Sequence, residues 1–265
     1  MFMFMIMNYE SLIILISLVG FLCFRQLTFA QLQLHPDEAH VLDRIATTLG
    51  ATLMNSTGDD PCQLGKLPVT DTSIENIITC NYSDGNFSHV TVLKLKTMNL
   101  QGSLPQELVN LTFLEEIDLV RIYLSGKLPK EWASMRHLKR MSLEANQLSG
   151  TVPKELGYLV NLTDLILSSN QFVGSLPITL QYLTKLTDFR ISDNSFNGTV
   201  PEFIRNWTKL GRLEMYSSGL EGPINPAIFA LGNLTDLRIT DMSGPKFDFP
   251  KRINENMKYL YAWCF

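Results

Sequence analysis

The stretch NQLSGTVPKELGYLVNLTDL, residues 146–165, contains the pattern that decides the fold of this chain. Gly150 and Pro153 in this stretch recur 24 residues later as Gly174 and Pro177. The same step separates the glycines Gly102, Gly126, Gly150, Gly174, Gly198 and Gly222. It also separates a column of apolar residues, Leu93, Ile117, Met141, Leu165, Phe189, Leu213 and Leu237. Because chance does not hold several columns in phase, the chain is predicted to be an array of repeats.

Each repeat follows the pattern L-x-x-L-x-L-x-x-N-x-L-x-G-x-[LV]-P-x-x-L-x-x-L. The alternating leucines near its start have the two-residue period of a short strand with one buried face. The glycine and proline then favour a turn, and the later spacing of three residues is typical of a 3₁₀ or short helical segment. One repeat cannot bury its apolar edge alone, so stacked repeats are expected to share one core and to align their strands in a parallel sheet.

One polar position inside the repeat indicates which kind of array this is. A leucine-rich repeat carries an inward-pointing asparagine at one position. In three consecutive repeats of this chain that position is occupied by Asn146, Asn170 and Asn194. In the other repeats it is occupied by Met98, Ile122, Ser218 or Met242. An amide there can bind backbone groups of neighbouring turns, so a ladder of such bonds is expected in the middle of the array. The predicted fold class is an α/β solenoid, a right-handed superhelix of leucine-rich repeats with a parallel β-sheet on its concave face and an N-terminal helical cap.

The first residues are predicted to be a targeting segment. Residues 1–30 resemble a signal peptide, because the apolar run Leu12–Phe24 is followed by Ala30, which suits a small-residue cleavage site. An uncleaved membrane anchor is the alternative, since no basic residue precedes the run. The rest of the chain divides into an N-terminal cap at 31–89, about seven repeats at 90–245, and an irregular insertion with the start of another repeat at 246–265.

The cap is predicted to contain a helix over residues 36–49. Pro36 suits the first helical position, and Asp37 with Glu38 favour the positive end of the helix dipole. An apolar stripe that would lie on the first repeat consists of Ala39, Leu42, Ile45, Ala46 and Leu49. The cap also contains Cys62 and Cys80, for which the two interpretations are a disulfide and a pair of free thiols. A bridge would close a short loop and add about 3 kcal/mol in the loop-entropy model.

Several sequons indicate passage through the secretory pathway. The N-x-[ST] pattern occurs at Asn55, Asn81, Asn86, Asn110, Asn161, Asn197, Asn206 and Asn233, whereas composition alone predicts about 2.5 such sites. The expected location is extracellular and apoplastic, or the outer face of the plasma membrane. Part of the excess has another explanation, because N-L-T also fits the repeat consensus at Asn110, Asn161 and Asn233.

Composition and motifs argue against several functional classes. The net charge is −4 and no cluster of basic residues is present, so the chain is a poor candidate for binding nucleic acid. The histidines His35, His40, His89 and His137 do not have metal-ligand spacing, and no nucleophile elbow or phosphate loop is found. A non-enzymatic protein without metal or cofactor is therefore predicted.

The chain resembles the ectodomain of plant leucine-rich-repeat receptor-like serine/threonine kinases that carry a malectin-like domain. The resemblance rests on the plant-type 24-residue repeats and on the stretches LHPDEAHVLDRIATTLG, NWTKLGRLEMYSSGLEGPI and LTDLRITDMSGPKFDFP. Tyr82 stands where this family usually has the second cysteine of a Cys-x-Cys pair. No kinase motif is present, so the family's kinase activity is assigned to no residue here. The chain is expected to be the front part of a longer protein, because it stops at the apolar stretch MKYLYAWCF.

The strand residues that point away from the core are the candidate binding site. With neighbouring strands about 4.8 Å apart, Arg212 would lie between Asp188 and Asp236, and Glu214 between two arginines. These charges either pair with one another or recognise a ligand. The residues chosen as the binding site are Arg190, Arg212, Glu214, Tyr216 and Arg238.

The resemblance implies an extracellular recognition module of a cell-surface receptor. The expected partner is an extracellular peptide, a protein or a cell-wall-derived ligand, with a co-receptor as a further partner. Contact with a membrane is expected only through an uncleaved N-terminal segment or a part that follows residue 265. The alternative is a secreted enzyme inhibitor similar to plant proteins that block polygalacturonases.

Overall fold

The computed structural model describes residues 33–50, 60–64, 77–83, 85, 87–100, 102–244 and 250–264. The predicted signal peptide, Asn55, Asn86 and part of the insertion after residue 245 lie outside these ranges. Within them, no helix is long and apolar enough to cross a membrane.

The cap is built around helix α1, Pro36–Leu49. Proline fills its first turn, the side chain of His35 accepts a hydrogen bond from the backbone N–H of Asp37, and Gly50 ends the helix in the left-handed conformation with φ 66°. The helix buries an apolar face of Val41, Leu42, Ile45, Ala46 and Leu49. A second short helix, α2, covers Pro61–Leu64. Its Cys62 forms a disulfide with Cys80, with a Cα–Cα distance of 5.4 Å.

Glu38 has a role beyond the one predicted for it. It lies in the first turn of the helix as predicted, but its side chain is also buried. One carboxylate oxygen accepts the backbone N–H of Val90 at 2.8 Å, and the other lies 2.9 Å from Nδ1 of His89. Glu38 therefore ties the cap helix to the segment that leads into the first repeat, a link between residues too far apart in the chain for the helix pattern to reveal.

Histidine and phenylalanine rings contact one another in a row that starts in the cap and continues along one position of the repeat. The ring of His89 lies 5.4 Å from that of His35 and 4.4 Å from that of Phe113, whose ring lies 5.7 Å from His137. His89, Phe113 and His137 are 24 residues apart. Three of the four histidines, His35, His89 and His137, thus pack against a neighbouring ring.

The concave side of the solenoid is a nine-stranded sheet. Its strands are β2 (Ile77–Thr79), β5 (Val92–Lys94), β6 (Glu116–Asp118), β8 (Arg140–Ser142), β10 (Asp164–Ile166), β12 (Asp188–Arg190), β14 (Arg212–Glu214), β15 (Asp236–Met242) and β16 (Tyr259–Cys264). Their order in the sheet is β16-β15-β14-β12-β10-β8-β6-β5-β2, and only β2 is antiparallel to its neighbour. The parallel sheet that the repeat pattern predicts is confirmed.

A second parallel sheet was not predicted from the sequence. It has the order β13-β11-β9-β7, with strands β7 (Ser125–Lys127), β9 (Gln147–Gly150), β11 (Gln171–Gly174) and β13 (Ser195–Phe196). These residues lie in the glycine-containing part of the repeat, for which the sequence pattern predicts a turn. The remaining strands are β1 (Gln33–Leu34), β3 (Tyr82–Ser83) and β4 (Phe87–His89), of which β3 and β4 pair antiparallel.

The third side of the solenoid has one 3₁₀ helix in each of the six repeats that begin with β5, β6, β8, β10, β12 and β14, as the threefold spacing predicts. These are η1 (Gln106–Asn110), η2 (Lys130–Ser134), η3 (Lys154–Tyr158), η4 (Ile178–Tyr182), η5 (Glu202–Asn206) and η6 (Pro226–Ala230). Glycine is required where two of them approach most closely. A Cβ on Gly157 of η3 would lie 2.3 Å from the carbonyl oxygen of Thr179 in η4.

The asparagine ladder forms at the three predicted positions. Asn146 Oδ1 accepts the N–H groups of Ile122 and Leu124 at 3.3 and 3.0 Å, and its Nδ2 donates to the Leu119 carbonyl at 2.7 Å. Asn170 and Asn194 repeat the arrangement one and two turns further along. Each amide therefore satisfies buried backbone groups of the preceding repeat, which explains why the position is polar in an apolar core.

Candidate recognition surface

The concave face presents two rows of outward-pointing residues in the register predicted from the sequence. Asp188 pairs with Arg212 and Arg212 with Asp236 across the strands, while Glu214 lies between Arg190 and Arg238. The strand alternation sends the intervening apolar residues, Phe189, Leu213 and Leu237, into the core at 0% exposure. The strands β12, β14 and β15 therefore bring Arg190, Arg212, Glu214 and Arg238 together on one surface.

The charges of this cluster are paired both along and across the strands. Arg190 binds Asp188 and Arg212 binds Glu214, in each case two residues apart on one strand. Arg212 also lies 3.4 Å from Asp236, and Arg238 lies 2.9 Å from Asp236 and 3.4 Å from Glu214. The ion pairs between residues of one strand were not predicted, because the prediction compared only charges on neighbouring strands.

The pKa of Arg190 reflects these contacts. Burial alone would lower it, but the hydrogen bond with Asp188 and the negative charges of Asp188, Glu214 and Glu144 outweigh that effect and raise the pKa. The guanidinium of Arg190 is thus held in its charged form by its carboxylate partners.

Aromatic residues lie beside the charged cluster. Tyr216 is partly buried, and its pKa is raised by burial and then by the negative charges of Asp193, Glu214 and Glu144. The structure adds Tyr259 and Tyr261, which pair in register with Asp236 and Arg238 and are each 54% exposed. Arg238 lies over the ring of Tyr261 at 5.6 Å from its centroid. Neither tyrosine follows from the 24-residue period, because the last step, from Asp236 to Tyr259, is 23 residues.

The N-terminal half of the concave face has a simpler pattern of ion pairs. Lys94 binds Glu116 at 2.9 Å and Lys96 binds Asp118 at 2.7 Å. Arg140 is 58% exposed and lies 3.6 Å from Glu116 and 3.8 Å from Asp164. No aromatic residue stands on these outward positions in β5, β6, β8 and β10, so the Arg–Tyr combination is confined to the C-terminal half of the sheet.

The sequon asparagines that the structure describes lie outside the concave strands. Asn81 precedes β3, Asn110 and Asn206 end 3₁₀ helices, Asn197 follows β13, and Asn161 and Asn233 precede β10 and β15. Asn161 donates to the Arg136 carbonyl at 2.9 Å and Asn233 to the Thr208 carbonyl at 2.8 Å. The N-L-T consensus at these two positions thus has a structural role that does not depend on a glycan.

Across the described ranges, no group of three or more His, Cys, Asp or Glu side chains is arranged to hold a metal ion. The carboxylates of Glu116, Asp118, Asp188, Glu214 and Asp236 on the concave face instead pair with arginine or lysine.

Comparison with known proteins gives the same class of structure. A family model described as Leucine Rich Repeat matches residues 161–183. A probable LRR receptor-like serine/threonine-protein kinase of Arabidopsis thaliana is 39% identical over 99 residues, which are 34% of this chain and 10% of that protein. The chain spans about a tenth of the length of the curated relatives it matches.

Solved structures extend the likeness over most of the chain. The LRR ectodomain of the receptor kinase SOBIR1 from Arabidopsis thaliana has a TM-score of 0.60 at 26% identity, over 73% of this chain and 100% of that one. The plant peptide hormone receptor RGFR1 in complex with RGF2 has a TM-score of 0.54 at 30% identity, over 57% of this chain and 25% of that one. The fold is a leucine-rich-repeat solenoid similar to the ectodomains of plant receptor kinases.

Proposed function

We propose that this chain is an extracellular recognition module, the leucine-rich-repeat ectodomain of a receptor-like kinase that acts in signalling at the cell surface. Its ligand would be an extracellular peptide or protein that lies across the concave strands β12, β14, β15 and β16. A solved structure that supports this class of ligand is the receptor RGFR1, which is in complex with RGF2.

One observation carries the proposal more than any other. Arg212, Arg238 and Tyr261 lie on neighbouring strands of one sheet face, and Tyr216 follows β14 in the adjoining turn, within electrostatic reach of Glu214. Arginine and tyrosine are among the residue types enriched at binding hot spots. The sequons of the described residues leave this face clear, so glycans attached to them would not start from its strands. The face therefore combines hot-spot residues with free access.

The finer features of the protein are part of the proposal. Residues 1–30 would be removed as a signal peptide, and the sequons would carry glycans in a secreted or membrane-bound product. The full protein would continue into a malectin-like domain, a membrane span and a serine/threonine kinase, as in the family that the sequence resembles. The curated relatives and the two solved structures are receptors or receptor kinases, which favours a receptor ectodomain over a secreted enzyme inhibitor.

The proposal can be tested by mapping where a peptide binds. Random linear dodecapeptides displayed on phage are selected on the full chain, and the peptide with the highest affinity, called here the selected peptide, is used as the probe. Hydroxyl-radical footprinting is expected to show slower oxidation of Tyr216 and Tyr261 when the selected peptide is bound. Tyr158 and Tyr182 are exposed on the 3₁₀ side at 57% and 50% and serve as internal controls. Protection of these two tyrosines alone would overturn the proposal.

A further inference from the structure

Exposed apolar side chains are concentrated on the 3₁₀ side of two neighbouring repeats. Tyr158 ends η3 and Tyr182 ends η4, at the same position of consecutive repeats, and both rings are exposed. Val160 and Ile178 in the same two repeats are exposed as well. No other 3₁₀ helix in the described part of the chain ends in an aromatic residue. We call these four side chains the tyrosine patch, and apolar surface of this kind commonly marks a contact with another group.

The sequon asparagine Asn161 lies next to the tyrosine patch. It follows Val160 directly and stands three residues after Tyr158. Val160 and Asn161 are the central residues of a tight turn, which the N–H of Leu162 closes on the carbonyl of Leu159 at 2.8 Å. A glycan on Asn161 would therefore leave the chain beside two members of the patch.

The contacts of the Asn161 amide indicate on which side a sugar would lie. Its Nδ2 donates to the Arg136 carbonyl of the preceding repeat at 2.9 Å, and its Oδ1 accepts from Nζ of Lys185 in the following repeat at 2.7 Å. Glycosylation replaces one of the two Nδ2 hydrogens, so one N–H remains available for the Arg136 carbonyl. The glycosylated group is a secondary amide, whose trans form places the sugar on the same side as Oδ1. The first sugar would thus lie toward Lys185, three residues after Tyr182.

We infer that the glycan on Asn161 packs its core sugars against the rings of Tyr158 and Tyr182 and so covers the tyrosine patch. The C–H face of a pyranose ring is apolar, and its hydroxyls can stay in water while that face covers an aromatic ring. Because the glycan is tethered at Asn161, its effective concentration at the rings is high. This inference rests on the passage through the secretory pathway that is part of the proposed function, and it gives one glycan a structural role.

Asn233 provides a matched comparison in the same chain. It occupies the position of Asn161 three repeats later, in the same Asn-Leu-Thr sequon, and its Nδ2 donates to the Thr208 carbonyl of the preceding repeat at 2.8 Å. Ala230 stands three residues before it, where the repeat of Asn161 has Tyr158. The two glycans would therefore share their mode of attachment and differ in the aromatic surface beside them.

A double-mutant cycle tests the inference on the full chain produced in a secretory host, with glycan occupancy of Asn161 and Asn233 verified by mass spectrometry. Asn161→Gln removes the glycan, and Tyr158→Ala with Tyr182→Ala removes two exposed rings without opening the core. Asn161→Gln is expected to lower Tm by about 2–4 °C more when the tyrosines are present than when they are absent. The same cycle on unglycosylated chain from a bacterial periplasm should show no coupling, because the glycan links the two sites. Asn233→Gln should cost the same with and without the tyrosines.

The outcomes separate this inference from the proposed function. Equal costs of Asn161→Gln with and without the tyrosines, or an unoccupied Asn161 beside a glycosylated Asn233, overturn the inference and leave the ligand of the concave face unaffected. Hydroxyl-radical oxidation of Tyr158 and Tyr182 that slows with rising concentration of the unglycosylated chain would assign the patch to a second copy of the chain and would also overturn it. Absence of glycans from every sequon would overturn the inference together with the secretory passage in the proposed function.

Discussion

Replacing Trp132 by alanine is expected to lower the free energy of unfolding by about 3–5 kcal/mol. The side chain is 0% exposed, and its indole N–H donates to the Pro105 carbonyl of the preceding repeat at 3.0 Å. Alanine would leave a cavity between two repeats and remove the indole hydrogen bond to the Pro105 carbonyl, which would keep only its bond from the Leu108 N–H. Because each repeat is stabilised by its neighbours, the loss should appear as a clear shift of the denaturation midpoint. Circular dichroism during urea denaturation measures it.

A pair of phenylalanine variants provides the control for this prediction. Trp207 is also 0% exposed and packs between Phe189 and Phe203, at 5.0 and 5.5 Å between ring centroids. Its indole N–H has no hydrogen-bond partner in the described part of the chain. Trp132→Phe should therefore destabilise the protein more than Trp207→Phe. Equal losses would contradict the role assigned to the Trp132 hydrogen bond.

The double variant Arg212→Ala with Tyr216→Ala is expected to weaken binding of the selected peptide at least about a hundredfold. Hot-spot arginines and tyrosines each contribute about 2 kcal/mol or more when they are truncated. Folding should be kept, because Arg238 continues to face both carboxylates that Arg212 contacts, at 3.4 Å from Glu214 and 2.9 Å from Asp236. Isothermal titration calorimetry measures the affinity, and the denaturation midpoint reports the fold.

The matched control changes the same residue types on another surface. Arg136→Ala with Tyr158→Ala removes one exposed arginine and one exposed tyrosine away from the concave strands. This variant should bind as the wild-type chain does. A wild-type affinity in the Arg212 and Tyr216 variant would remove these two residues from the binding site.

Much of this fold could be predicted because the same local pattern recurs in every repeat at the same positions. The column from Leu93 to Leu237 is apolar at a constant step, which fixes the strands, their register and the face that each side chain occupies. The asparagine ladder followed from the same step, since Asn146, Asn170 and Asn194 fall at the position where a leucine-rich repeat carries an inward asparagine. The register then placed Arg190, Arg212, Glu214 and Arg238 together without knowledge of any contact.

Features that depend on neighbours outside the repeat pattern could not be predicted. Strands β7 and β9 consist of residues such as Ser125, Gly126 and Ser149, which have low strand propensity and form a ladder only with adjacent repeats. The contact of Glu38 with His89 joins residues 51 apart. Pairing of Arg190 with Asp188 along one strand depends on rotamers, which the sequence does not specify.

The claim that ligands bind on the concave face is tested most directly by placing a glycan on it. Ile166→Asn creates the sequon Asn-Leu-Ser with Ser168 in the middle of the concave sheet, and Tyr182→Asn creates Asn-Leu-Thr with Thr184 at the end of η4. Both variants are produced in a secretory host, and glycan occupancy is verified by mass spectrometry. The affinity for the selected peptide is then measured for each. We expect the glycan at position 166 to abolish binding and the glycan at position 182 to leave it unchanged. Unaltered affinity with the glycan at 166, together with loss of binding with the glycan at 182, would contradict the account.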